Sequence, residues 1–318
     1  MAVAGMVTTF NMPNYVGELF MISPKVTPFT AMIGGLTGGR QTASIDFAVQ
    51  YQALPAAAIP ANLEGQVAPA ASTEVRTQEN NCVQIFHKSI NISYTKLANI
   101  GQVRPIVAGG SIDDILGSNP VTSEEAYETA NVLASLAQDI ELAFLTGTYA
   151  RPVDNATARK TRGLLNAAGL NTVVAGGAQL SSELFDELLR TMYASNAPFT
   201  NPVIFCGAYM KQRISQAWGI IPADRNVGGV NIEQIVTDFG NFGIVLSRNF
   251  TDTLLIADMA YCAPVFLNIP GKGFLFIEEL AKVGASISKQ IYGEVGLAYG
   301  LGQFHGVITG LATSPDAI

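Results

Sequence analysis

The chain has 318 residues, 48% of them hydrophobic and only 14% charged, against about 25% charged in an ordinary soluble domain. No run of about 18 uninterrupted apolar residues is present; the best stretch, 254–269, is broken by Asp258, Pro264 and Asn268, so the apolar surplus is expected to face protein and not lipid. The net charge of −7 and the lack of any Lys/Arg tract argue against nucleic-acid binding, which needs clustered cations to neutralise phosphates.

The length suggests two domains or one elaborate domain. A large single-chain core beneath a neutral polar surface would account for the composition. Large permanent subunit contacts, more apolar than ordinary surface, account for it better. No basic residue precedes Lys25, so the N-terminus lacks the positive region of a secretion signal, and synthesis in cytoplasm is expected. Cys82, Cys206 and Cys262 are odd in number and far apart, which favours neither a disulfide framework nor a metal site.

The first 40 or so residues read as an irregular arm, punctuated by Pro13, Pro24 and Pro28 and ended by Gly34, Gly35, Gly38 and Gly39. A short helical pattern spans 15–21. Phe10, Tyr15 and Phe20 make this arm too apolar to float in solvent, so it is expected to lie across another surface, with Lys25 and Arg40 as its cations. Residues 40–98 read as a β-excursion: alternation runs over 44–51 and resumes at 83–86 and 90–94. Between them, residues 53–73 are rich in Ala, Pro and small polar residues. Two strands and this tip predict a projecting hairpin too thin to bury its own faces, hence one that needs a partner. Glu64, Glu74 and Arg76 are its candidate ion-pair residues.

Thr122 and Glu125 stand at capping-box spacing, and the pattern predicts a helix over 123–146 stopped by Gly147. Ala126, Ala130, Leu133, Ala137, Ile140 and Phe144 form one apolar stripe, and Glu124, Glu128, Asn131, Ser135 and Gln138 fall on the opposite side. At 1.5 Å per residue this is a rod of roughly 35 Å. Residues 150–180 are loop-rich. Residues 180–260 read as a compact α/β unit. Ser181 or Ser182 caps a helix with Phe185, Leu188, Leu189 and Met192 inward, a buried strand follows at 203–206, and a second helix covers 208–217. Strands are expected at 230–236, 243–248 and 254–256, and glycine-punctuated strands again from 273 to 311.

No stretch makes a convincing active site. Gly300, Gly302 and Gly306 miss the dinucleotide fingerprint by one residue, Gly271-Lys272 has Phe266 where a phosphate loop needs glycine, and Ser111 lacks the glycine of a nucleophile elbow. His87 and His305, the only histidines, lie in alternating apolar runs that suit structural histidines. The adjacent carboxylates Asp113-Asp114, Glu124-Glu125 and Glu278-Glu279 point apart on any regular element. No catalytic residue, cofactor or metal is expected.

An arm, a long projecting hairpin, one long helix, an α/β lobe and closing strands, in that order, resemble the major capsid protein of tailed bacteriophages, whose fold is shared with herpesvirus shells and encapsulin compartments. Supporting runs are Arg162-Gly163-Leu164-Leu165 and the closing segments 290–297 and 305–311. The resemblance implies an α+β fold with an N-terminal arm (1–40), an extended loop (41–98), a peripheral domain (99–164 and 271–318) built on a spine helix at 123–146, and an axial domain (165–270). It also implies a structural protein that assembles as hexamers and pentamers into an icosahedral head in the host cytoplasm. Such a head encloses double-stranded DNA without sequence-specific binding and without a membrane. Arm and loop would reach over neighbouring subunits, and scaffolding, portal and decoration proteins are possible partners. No charged scaffolding segment precedes the arm, so a separate scaffold or none is expected. No Lys lies between Lys25 and Lys88, which argues against a lysine cross-link from the loop tip. An encapsulin-type compartment is the nearest alternative. A β-rich surface binding module, and a hydrolase assembled from distant Ser, His and Asp, come from other classes.

Overall fold

The computed structural model describes residues 27–314 apart from residue 37 and residues 53–56, 58, 60–61, 69–73, 99–123, 219–220 and 228–229. The chain enters through a five-residue helix, α1 (Pro28–Met32), with proline preset at its first position, and a short strand, β1 (Arg40–Thr42). Strands β2 (Asp46–Tyr51) and β3 (Thr77–Cys82) pair antiparallel as a separate two-stranded sheet. Next come β4 (Gln84–Ser93), α2 (Tyr94–Ala98) and the long helix α3 (Glu124–Thr146). The expected second arm of the hairpin, 83–94, is therefore corrected. That arm is β3, whereas β4 joins the body. Hydrophobic periodicity misses β3 because its sequence, TQENNC, has no apolar alternation. In β4, by contrast, Phe86, Ile90 and Ile92 are buried, a stripe that needs a core to face.

Beyond α3 lie β5 (Asn171–Val174), α4 (Ser182–Ala194), β6 (Pro202–Cys206), α5 (Ala208–Trp218), β7 (Ile221–Val227), β8 (Val230–Thr237), β9 (Gly240–Leu246) and β10 (Leu254–Asp258). The chain closes with β11 (Ala263–Leu267), β12 (Leu275–Glu279), β13 (Ser286–Ala298) and β14 (Gly306–Thr309). α4 forms as its sequence predicts: the Ser181 hydroxyl accepts from the Leu184 amide, and Phe185, Leu188, Leu189 and Met192 are buried. β5 and β7 were not foreseen from sequence.

Two large sheets result. In the first, β13 is the hub: β4 pairs with it, β12 and β11 also pair with it, and β1 extends β11 in parallel. The second runs β5-β14-β10-β6-β9-β8-β7. Alternation divides the second sheet between two cores. Ile204, Cys206, Ile244, Leu254, Ile256 and Ile308 face the core that holds α4. Val203, Phe205, Val245, Leu255 and Ala257 face the other way, into the core built around α3 and β13.

α3 has the expected bounds but not the expected buried face. Leu136, Ile140, Glu141, Phe144 and Leu145 are buried, while Ala126 and Ala130 are exposed. In its N-terminal half the polar side grips the sheet. Lys96 on α2 pairs with Glu124 (2.8 Å) and Glu128, and Lys289 on β13 pairs with Glu125; in the second half Lys88 on β4 pairs with Asp139 (2.6 Å). Long lysine stems reach from the sheet to carboxylates on the helix, so acidic residues fill positions where an apolar stripe is otherwise required.

Glu141 is wholly buried, and it anchors α1. Its carboxylate accepts from the amides of Phe29 (3.1 Å) and Thr30 (2.7 Å) and from the Thr30 hydroxyl (2.6 Å). Phe29 packs edge-on against Phe205 of β6, with ring centroids 5.6 Å apart. The root of the N-terminal segment is thus wedged between α3 and the second sheet.

Candidate functional site

The feature that cannot be explained by either core is the β2–β3 hairpin. All of its tip residues described are exposed, including Ile59, Leu63, Val67 and Val75 at 79–98% exposure. Glu64, Glu74 and Arg76 are exposed as well, and none of the three forms an ion pair among the described residues. Arg76 donates to Gln52 Oε1 (3.3 Å), and Gln52 Nε2 donates to the Glu74 carbonyl (3.3 Å), so these side chains brace the two strands against each other. Arg40 is exposed at the start of β1. Phe10, Tyr15, Phe20 and Lys25, with the helical pattern at 15–21 and the capping pair's Thr122, lie outside the described residues.

The root of the hairpin is polar and buried. Glu79, on β3, accepts from Arg162 Nη1 (2.8 Å), from the Tyr299 hydroxyl and from the Ala168 amide (3.3 Å). Desolvation, then the bond to Glu79, pushes the Tyr299 hydroxyl well above its ordinary pKa, so it remains a donor. The Arg162 guanidinium also lies over the Tyr149 ring, 4.7 Å from its centroid. Two residues along the same strand face, Asn81 bonds to the backbone of Cys82, Arg162 and Leu297. On β2, Asp46 pairs with Arg151 (2.6 Å), and the Phe47 ring sits over Gly296, where a Cβ would come within 2.8 Å of it. Sequence reasoning passed over Glu79 and Asn81, because isolated polar residues in a polar strand carry no periodic signal, and it named Arg162 only as part of the run 162–165.

The other chemistry-bearing groups are enclosed. His305 is fully buried: its Nδ1 accepts from the Asp258 amide (3.1 Å) and its Nε2 donates to the Tyr299 carbonyl (2.7 Å), which fixes a neutral tautomer. Burial pushes its pKa down to about 4. His87 lies at the surface and not in either core. It is exposed on β4, 3.0 Å from Gln290 Oε1. Cys206 is a buried hydrophobe with its thiol pushed up to about 12 by desolvation, and Cys262 is raised by the same cause. No group of three metal-ligating side chains occurs among the described residues. No helix among them is long and apolar enough to cross a membrane. Two open clefts of about 520 and 500 Å³ flank the hairpin root and share Gln84, Ile85 and Lys160.

Comparisons with known proteins place this fold. In fold the chain is similar to the capsid asymmetric unit of cyanophage A-1(L), with TM-score 0.65 and 10% identity over 94% of this chain and 95% of that one. It is likewise similar to the capsid of an empty GTA particle (TM-score 0.58, 12% identity, 94% and 95% covered). A third similar structure is the SrpI encapsulin of Synechococcus elongatus PCC 7942 (TM-score 0.57, 13% identity, 94% and 92% covered). A search of curated proteins returned no match. The family model described as SU10 major capsid protein matches residues 2–312. With a fold of the phage-capsid and encapsulin type along nearly its whole length, the chain belongs to the SU10 major capsid protein family, structural proteins of the virion shell.

Proposed function

We propose that the chain assembles as hexamers and pentamers into an icosahedral phage head around double-stranded DNA, with the hairpin and the N-terminal arm as its intersubunit elements. The observation that carries this reading is a two-stranded sheet that leaves both cores with an apolar tip in solvent. Such a sheet is not stable on its own faces. Glu64, Glu74, Arg76 and Arg40, with Phe10, Tyr15, Phe20 and Lys25 of the arm, are its contact candidates. The net charge of −7 suits a shell that must not adhere to the DNA it surrounds. Division along the sheets would make the extended loop 41–82. The peripheral domain would then rest on α3 and the β13 sheet, and the axial domain on the seven-stranded sheet, including β14. Assembly in the host cytoplasm, and portal, scaffolding and decoration partners, complete the proposal. The protein acts by contact and without turnover.

Replacing residues 55–72 by a short Gly/Ser turn tests this. The subunit should keep its circular dichroism and melting temperature, since the described residues of the segment add nothing to either core and shorter loops cost little to close. Closed particles in electron micrographs should vanish. Normal shells from the shortened chain would refute the role given to the hairpin. Particles that retain protein cargo and no nuclease-protected DNA would favour an encapsulin-type compartment.

A further inference from the structure

The ladder between β4 and β13 runs from Ser93–Ser286 to Gln84–Val295 and stops there. β13 continues to Ala298, still paired to β11 on its other edge, so Leu297 has backbone groups facing where β4 has ended. Leu297 is fully buried, and a buried peptide group without a partner costs free energy comparable to a lost hydrogen bond. Two side chains take the place of the missing strand. The Leu297 amide donates to Thr161 Oγ1 (3.2 Å), and its carbonyl accepts from Asn81 Nδ2 (2.8 Å).

Asn81 saturates the junction. Its Nδ2 also donates to the Arg162 carbonyl (3.2 Å), and its Oδ1 accepts from the amides of Cys82 (2.9 Å) and Arg162 (2.8 Å). Glu79, on the same face of β3, holds Arg162, Tyr299 and the Ala168 amide. One strand face is thus tied at consecutive inward positions to the 161–168 segment and to the end of β13. A hinge would need a free joint at this place, and none is built.

We infer that Glu79 and Asn81 are positioning residues that fix the angle at which the hairpin leaves the subunit, so that it is presented to its neighbour already aimed. The leverage is large. A fully extended chain of the residues from Glu79 to Gln66 would span about 40 Å, and at that length a tilt of about 10° at the root moves the far end by ~7 Å, more than a contact tolerates. Fixing the angle in the free subunit removes an ordering cost from association. The inference rests on the proposal that the hairpin docks on a neighbouring subunit.

The test measures the angle itself. Nitroxides placed by Gln66→Cys and Asp186→Cys report the tip-to-body distance in unassembled full-length subunits by pulsed electron resonance, the three native thiols being buried. The parent should give one narrow distance distribution. Glu79→Gln and Asn81→Ala should at least double its width with little change in circular dichroism, and slow assembly at least tenfold. Tyr299→Phe, which removes one donor from Glu79, is the milder variant should Asn81→Ala fail to fold, and should broaden the distribution less. An already broad parent distribution, or an unchanged width in folded Glu79→Gln and Tyr299→Phe, would overturn the inference. Broadened distances with normal assembly would support the positioning role and overturn docking by the hairpin.

Discussion

Acidification should weaken the subunit through His305, and the size of the effect follows from its surroundings. The ring is fully buried, accepts from the Asp258 amide and donates to the Tyr299 carbonyl. Protonating Nδ1 would set an N–H against the Asp258 N–H. The Asp258 carboxylate could compensate only by leaving the amides of Thr200, Asn201 and Ala260, which it now accepts from. Burial accordingly holds the folded pKa at about 4, against 6.5 in the unfolded chain. Between those values the unfolded chain binds a proton that the folded one refuses. Stability is full above pH 6.5 and falls as pH drops toward 4, by about 3 kcal/mol in all. Glu141 acts with the opposite sign, because desolvation raises its pKa and protonation relieves a buried charge. Comparison with His305→Gln removes that and every other carboxylate contribution. Urea unfolding of unassembled subunits should show the parent's advantage over the variant shrinking by about 3 kcal/mol between pH 7.5 and pH 4. Parallel stability curves, or an imidazole that titrates near its ordinary value by NMR, would refute the reasoning.

Glu141→Gln should cost about 1–3 kcal/mol, since one amide oxygen cannot serve three donors. Chymotrypsin should then cut at Phe29 in the variant and spare the parent; equal protection would mean that α1 is held by packing alone. Gly302→Ala would place a Cβ 2.1 Å from the Ala168 carbonyl oxygen, a backbone clash that no rotamer relieves. It should lower stability by about 3 kcal/mol, read as a fall in the melting temperature of the subunit, and an unchanged value would refute the clash.

What could be read in advance follows the physics of each element. α4 was legible because a serine cap and four inward apolar residues repeat at helical spacing, and β6 because a short apolar run leads into a second helix. The bounds of α3 were legible too, since Gly147 ends it against Ala143 and Thr161, whose carbonyls leave no room for a Cβ. Its orientation was not, because lysines from α2 and β13 turn its acidic side inward at the N-terminal half. The hairpin was legible as an excursion but not in its pairing. β3 has no apolar alternation, and Asn81 and Glu79 at its root bond to the body, contacts that local pattern does not announce. Glu141 was invisible for a related reason: one carboxylate on a helix signals nothing until the chain brings α1 to it.

Several of the charges that a 14% charged chain does carry sit at joints. Lys88, Lys96 and Lys289 fasten α3 to its sheet, while Arg151 and Arg162 fasten the hairpin to the body. The more exposed of these pairs are individually weak, so their use lies in fixing relative placement more than in stabilising the fold. The opposite holds at the far end of the hairpin. There Ile59, Leu63, Val67 and Val75 stand in water with no cover from their own chain among the described residues. Burying such side chains is worth roughly 1.5–3 kcal/mol each. A subunit that fixes the root of a projection with polar bonds and leaves its tip apolar offers that tip to a second copy. The low charge of the chain and its projecting hairpin are, on this reading, two consequences of one requirement, that most of its contacts be made with itself.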